Sequence, residues 1–344
     1  MGFDAVLLVS FGGPEAPDDV EPFLENVLRG RQVPEERKRQ VASRYLELDG
    51  VSPINEHNRA LVQALHAELR ARSADLPVYW GNRNWHPFLA DTVRTMRTDG
   101  VRRAAAFVTS AYSSYSGCRQ YLDDLDRARI DAGADAPEVV KLRPYFNHPG
   151  FVEPLAAGLR AGRAAADPDA PVLMSAHSIP VAMAATCEYE RQLRETGRLV
   201  AELAGEPPDR WTLVFQSRSG PPEQPWLGPD IDDVVATLPG PTSAAIVVPI
   251  GFVSDHMEVV YDLDRVTASK AAARGIRLYR TATPGADPRF VSMICDLVEE
   301  ADGRRRPAAL GQLGPAAFPC RPGCCPAPSR TGLRPEGRGQ GPGR

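Results

Sequence analysis

Short apolar runs alternate with segments of helical spacing along this chain, and that alternation leaves few folds open to it. DAVLLVSF (4–11), PVYWGN (77–82) and RAAAFVTSAY (103–112) read as strands. PVLMSAHS (171–178), WTLVFQS (211–217) and AAIVVPIGFV (244–253) repeat the style further on. Between strands, Leu61, Leu65 and Leu69 recur at helical spacing within 58–73, and 186–204 reads as a second long helix. Strands that are apolar on both faces and alternate with helices belong to parallel sheets covered on each side. The expected class is therefore α/β, in two halves alike in architecture without a sequence repeat.

At 344 residues the chain can bury one large core or two linked ones. From about Gly303 its character changes. Residues 304–344 are rich in Gly, Pro and Ala, with eight Arg against the single acid Glu336, and are expected to lack regular structure. Three cysteines, Cys320, Cys324 and Cys325, crowd into PCRPGCCP there, while Cys118, Cys187 and Cys295 are scattered. In a reducing compartment such a cluster points to a metal or to incidental thiols, not to disulfides. A net charge of -4 argues against a general nucleic-acid partner. No apolar run approaches the roughly 18 residues that span a bilayer. MGFDAVLLVSFGGPE has no basic leader and reads as a first strand, so the expected location is the cytoplasm.

Ligands of α/β sheets sit at the C-terminal ends of strands, and three segments fall there. SAHSIP (175–180) places His177 at a strand end with Pro180 turning the chain directly after it. A histidine there either caps the strand or offers an imidazole as proton acceptor or metal ligand. GFVSDHMEVVYDLD (251–264), if helical from about Asp255, sets Glu258 and Asp262 four residues apart on one face, with Asp255 one turn earlier. This row is either a solvated acidic face or a path for protons or a cation. FGGPEAP (11–17) fits neither phosphate-binding glycine pattern and reads as a loop whose backbone approaches a ligand closely.

Four motifs in order carry a family resemblance: DGVSPINEHN (49–58), SAHSIP, FQSRSGPPEQPWLGPD (215–230) and GFVSDHMEVVYDLD. From about residue 3 to 300 the chain resembles the ferrochelatases, which insert ferrous iron into a porphyrin. The resemblance implies two similar Rossmann-like domains, 1–145 and 146–303, with a cleft between them and a tail, 304–344. It implies that His177 and Glu258 face each other across the porphyrin and bind the incoming Fe2+, one of them accepting the pyrrole protons. Ser52 and Tyr121 match porphyrin contacts of the coproporphyrin-using branch. Arg29 and Arg31 match basic residues near the propionates, or else end a solvated helix.

Two departures stand out. Some coproporphyrin-branch members carry Tyr where this chain has Phe11, and Phe cannot ligate the product iron. A third acid of the row is replaced by Val266. The charged stretch 12–40 lacks the long apolar lip of membrane-associated relatives. Coproporphyrin III, giving coproheme in haem b biosynthesis, is therefore the expected substrate, with protoporphyrin IX as the alternative. A cobalt or nickel tetrapyrrole chelatase and a non-catalytic haem or porphyrin carrier are the rival readings. Some ferrochelatases hold a [2Fe-2S] cluster on three C-terminal cysteines and an internal one. Cys320, Cys324 and Cys325 resemble that set, with Cys118 as fourth ligand and Cys187 as the other candidate. The family's soluble bacterial forms imply a monomer, in transient contact with other haem-pathway enzymes.

Overall fold

The computed structural model describes residues 2–30, 33–221, 223–321 and 323–327. Eight strands form two four-stranded sheets. They are β1 (Ala5–Ser10), β2 (Val78–Asn82), β3 (Arg103–Val108), β4 (Glu138–Lys141), β5 (Val172–His177), β6 (Trp211–Gln216), β7 (Ala244–Val248) and β8 (Arg277–Arg280). The spatial orders are β2-β1-β3-β4 and β6-β5-β7-β8, and every pairing is parallel. The second sheet thus repeats the topology of the first, as the alternating pattern predicts.

The main helices are α1 (Val20–Leu28), α2 (Glu35–Leu46), α3 (Ile54–Ala71), α4 (Leu89–Thr98), α5 (Gln120–Ala132) and α6 (Pro149–Ala165). They continue as α7 (Val181–Ala184), α8 (Tyr189–Ala204), α9 (Ile231–Thr237), α10 (Met257–Val259), α11 (Ala268–Ala273) and α12 (Pro288–Ala301). Two stretches, Tyr115–Arg119 and Val260–Thr267, are π-helical.

Central strands are buried on both faces because helices cover both. All six residues of β1 and the first five of β5 are buried. Side chains such as Leu7 and Leu8 contribute roughly 1.5–3 kcal/mol each. One face of each sheet feeds a common apolar core, in which Val6, Leu8 and Phe107 join Val172, Ile246 and Phe290. Smaller layers lie under α4–α5 on the first sheet and under α9 and the Val260–Thr267 turns on the second. The core unites the two sheets: Phe107 of β3 stacks on Tyr145, which meets Phe290 of α12 edge-on. From the end of α3, Arg72 reaches Asp296 at 2.7 Å and Glu299 at 3.2 Å on α12.

After α12 the described chain forms neither helix nor strand, yet it is seated on the core. Arg143 and Glu300 form a pair with side chains only 3% and 4% exposed, 2.7 Å apart, and the Ala308 N–H donates to the same carboxylate. Asn147 donates to the carbonyls of Leu310 and Gly314. This strap carries the tail cysteines back to the first sheet.

The glycines after β1 close against protein. Gly12 has φ +80°, and a Cβ on it would lie 2.9 Å from Asn82 Cβ. A Cβ on Gly13 would lie 2.7 Å from Ser52 Cβ. The close approach expected of this loop is to Asn82 and Ser52.

Candidate active site

β5 and β6 end side by side, with His177 in register with Gln216. Pro180 then starts α7, so the imidazole stands at the sheet edge. Its Nδ1 contacts the Ser178 carbonyl, and the Tyr189 hydroxyl donates to the His177 carbonyl at 2.9 Å. Opposite, the chain leaving β7 turns through GFVSD into α10. His256 caps that helix, its Nδ1 accepting from the Glu258 N–H at 3.2 Å. Glu258 Oε1 comes to 3.3 Å from His177 Nε2.

Burial alone would lower the His177 pKa, but the facing Glu258 carboxylate outweighs it and lifts the value to about 9. Burial alone would raise Glu258, but the His177 charge and hydrogen bond hold it down at about 2. The pair therefore stands as imidazolium and carboxylate near neutral pH. The two side chains remain 30% and 48% exposed, so water entering the cleft screens part of the attraction.

Asp262 is the second member of the row. Burial first, then the Glu258 charge, push it up to about 6 against the opposing bond from the Ser217 hydroxyl. A wall from the first sheet closes the row: Tyr45 of α2 is raised by burial and by the Glu258 and Asp262 charges. Behind it Phe23 meets Tyr45, Trp85 and Phe11 edge-on, at 5.6, 6.3 and 6.3 Å. Arg44 lies over the Tyr261 ring at 5.4 Å.

The expected site residues take these places in the structure. His177 and Glu258 touch, so in this structure they do not stand on opposite sides of a macrocycle-wide gap. Asp255 is not in the row: Arg280 holds it at 2.9 Å and Thr283 donates to it at 3.0 Å. The helix begins at Met257, two residues later than Asp255, and widens to π from Val260. Ser52 and Tyr121 are only 4% and 5% exposed. Ser52 lies under the glycine loop, its N–H donating to the Pro14 carbonyl. Tyr121 is held in the layer beneath α5, with Arg83 over its ring at 5.3 Å. Arg29 ends α1, bonded to Asn26, and lines a cavity of about 330 Å³ with Arg83, Arg94 and Arg127. Arg31 lies outside the described residues.

The strap delivers Cys320 and Cys325 to Cys118, which sits in the π-helical turn before α5. Hydrogen bonds from Cys320, then Cys325, pull the Cys118 thiol far down, with Lys141 assisting. Cys320 and Cys325 are raised in return, and Cys324 and Cys187 lie close enough to be felt by Cys325. The thiols are gathered but not set as a ligand shell: among the described residues, no three His, Cys, Asp or Glu side chains are arranged to hold a metal.

Residue-by-residue reading missed Gln216 and Ser217, which grip the acidic row. Gln216 Nε2 donates to the Glu258 carbonyl at 2.7 Å. Their signal was available, since two polar residues end an apolar strand.

Two solved structures share this architecture. CbiX, the terminal enzyme for siroheme biosynthesis in denitrifying bacteria, superposes with TM-score 0.50 at 15% identity, over 86% of this chain and 99% of that one. The sirohydrochlorin chelatase SirB from Bacillus subtilis gives 0.50 at 11%, over 87% and 97%. At such identities the likeness shows the fold alone. Sequence goes further. A ferrochelatase profile matches residues 3–302. A ferrochelatase of Rhodopirellula baltica is 51% identical over 94% of this chain and 93% of that protein. A coproporphyrin III ferrochelatase of Mycobacterium marinum is 52% identical over 95% and 98%. The chain belongs to the ferrochelatase family, lyases that insert a metal into a porphyrin.

Proposed function

We propose that the protein inserts Fe(II) into coproporphyrin III to give coproheme, with His177 and Glu258 as its catalytic residues. The observation that carries the chemistry is their contact at the strand ends, beside Asp262. The substrate is chosen by similarity to the Mycobacterium marinum protein and to further coproporphyrin III ferrochelatases of Mycobacterium and Mycolicibacterium at 50–52% identity. We divide the chain into halves 1–145 and 146–303 and a tail.

Insertion replaces two pyrrole protons by one Fe(II), so two protons must leave. In the free site the His177 ring already holds a proton on account of Glu258. An incoming cation engages the Glu258 carboxylate and removes the charge that keeps that proton in place. The proton that His177 gives up leaves by way of Asp262, and the freed imidazole then accepts the two pyrrole protons in turn, each passing outward by the same route. Arg29 and Arg31 suit the propionates, and Ser52 and Tyr121 act as porphyrin contacts once the site is occupied. Phe11, exposed at the mouth, offers an apolar face and no iron ligand.

Cys118, Cys320, Cys324 and Cys325 would hold a [2Fe-2S] cluster. Fit is supported by the gathering of Cys320 and Cys325 on Cys118, which is already driven toward the thiolate such clusters need. A bound cluster supplies one-electron redox chemistry, which insertion does not use. A C320S variant that kept the full visible absorption of the purified protein would remove this ligand set.

The deciding experiment is anaerobic Fe(II) insertion followed by absorbance, with coproporphyrin III and protoporphyrin IX side by side. Fast conversion of the first alone is expected. Equal or reversed rates would move the protein to protoporphyrin. An H177A variant that binds coproporphyrin III but inserts no iron separates an enzyme from a carrier.

A further inference from the structure

The residues by which β6 leaves its sheet hold the acidic row in place without belonging to it. Gln216 ends the strand in register with His177. Its Nε2 donates to the Glu258 carbonyl at 2.7 Å, while His256 Nδ1 accepts from the Glu258 N–H at 3.2 Å. Glu258 lies in a three-residue helical turn just before the chain widens to π, where regular backbone bonding is interrupted. Side chains, not the helix alone, therefore fix its backbone. The next residue, Ser217, donates its hydroxyl to the Asp262 carboxylate. It does so from φ +62°, a left-handed conformation that non-glycine residues adopt reluctantly.

Each choice carries a local cost. Gln216 is buried, and its Oε1 has no hydrogen-bond partner among the described residues. A strand end chosen for stability alone would be apolar, since an unpartnered buried amide oxygen is destabilising. Ser217 likewise stands where glycine would be unstrained. Such departures from local consistency concentrate at working sites.

We propose that Gln216 and Ser217 form the positioning unit of the acidic row, Gln216 setting the backbone of Glu258 and Ser217 aiming the Asp262 carboxylate. This rests on the reading of the site as one for iron insertion. The assignment explains why two polar side chains follow an apolar strand directly beneath the His177–Glu258 contact.

The test uses the full chain and three variants. S217A deletes the hydroxyl and keeps the strained backbone. S217G deletes the hydroxyl and relieves the strain. Q216M keeps the shape and deletes both amide groups. The readouts are kcat, the KM of Fe(II), the Kd of coproporphyrin III by fluorescence quenching, and Tm. Both Ser217 variants should lose about tenfold in kcat, the worth of one hydrogen bond to a charged group. S217G should do so with Tm unchanged or raised, which a merely structural role would not give. Q216M should lose at least as much kcat and raise the KM of Fe(II), with the coproporphyrin Kd within twofold. Full kcat in S217G, or Q216M within twofold of wild type, would overturn the proposal. If the wild type inserts no iron, the functional reading falls, and Co(II) titration by calorimetry judges the unit alone. Wild type must then bind Co(II), and the three variants must bind it more weakly. Equal affinities, or no Co(II) binding by wild type, would overturn it.

Discussion

Replacing Glu258 by glutamine keeps the shape of the side chain and removes its charge, so E258Q isolates what the carboxylate does to His177. The imidazole is held at about 9 although burial, the largest influence on it, acts downward. The two largest upward influences are the Glu258 charge and hydrogen bond, with the Ser178 carbonyl and the Asp262 charge smaller. With Glu258 neutral, burial prevails and His177 should titrate at about 6.5 or below. The assay is NMR titration of histidine Cε1–H, with H177A identifying the resonance among six histidines. A value above 8 in E258Q would refute the pairing. Stability follows the same linkage. His177, raised on folding, contributes fully below 6.5 and loses its contribution as pH rises through 9. Glu258, lowered on folding, contributes fully above 4.5 and loses its contribution as pH falls through 2. The pair is therefore most stabilising between 4.5 and 6.5. Because both groups are partly open to water, E258Q should cost no more than about 1 kcal/mol there, and less at pH 10.

The buried Arg143–Glu300 pair should be far more sensitive: R143M leaves a carboxylate without its cation, costing about 3–5 kcal/mol by urea unfolding, and a loss under 1 kcal/mol would deny it a clamping role. G13A forces a methyl to 2.7 Å from Ser52 Cβ. Overpacking of about 1–3 kcal/mol should appear as a lowered Tm, together with weaker coproporphyrin binding by fluorescence quenching.

Six strands were legible because each carries an apolar or aromatic run, including β2 and β6, which lie at sheet edges. β4 (EVVK) and β8 (RLYR) were not, since both are edge strands carrying charge, a common way of blunting sheet edges, and neither shows the apolar run that betrays the others. His177 was legible from its place at a strand end, and Glu258 from helical spacing. Spacing misassigned Asp255, because the side chain that claims it, Arg280, arrives from β8. The π-helical widening after Val259 left no mark in the sequence, since it changes hydrogen-bond register and not residue type. The tail was read as irregular, and the described part is. Its seating on Asn147 and Glu300 depends on backbone carbonyls and amides, which composition does not report.

A porphyrin between two groups on opposite faces needs about 7 Å, two van der Waals contacts, and His177 and Glu258 are 3.3 Å apart. Something must move when the macrocycle enters. His177 is anchored through its Nδ1 contact with the Ser178 carbonyl. The Glu258 backbone is held at both its N–H and its carbonyl. Only the Glu258 side-chain torsions remain free, so the carboxylate swings while the imidazole stays. Both groups come from the second half, whereas the aromatic wall of Phe11, Phe23, Tyr45 and Trp85 comes from the first. We infer that the macrocycle, backed by that wall, enters between the imidazole and the displaced carboxylate. Metal-free coproporphyrin III should then separate the pair, and the His177 resonance of the saturated complex should titrate well below 9. A His177 pKa unmoved by saturating porphyrin would mean that the pair never parts, and the macrocycle would have to lie outside both groups.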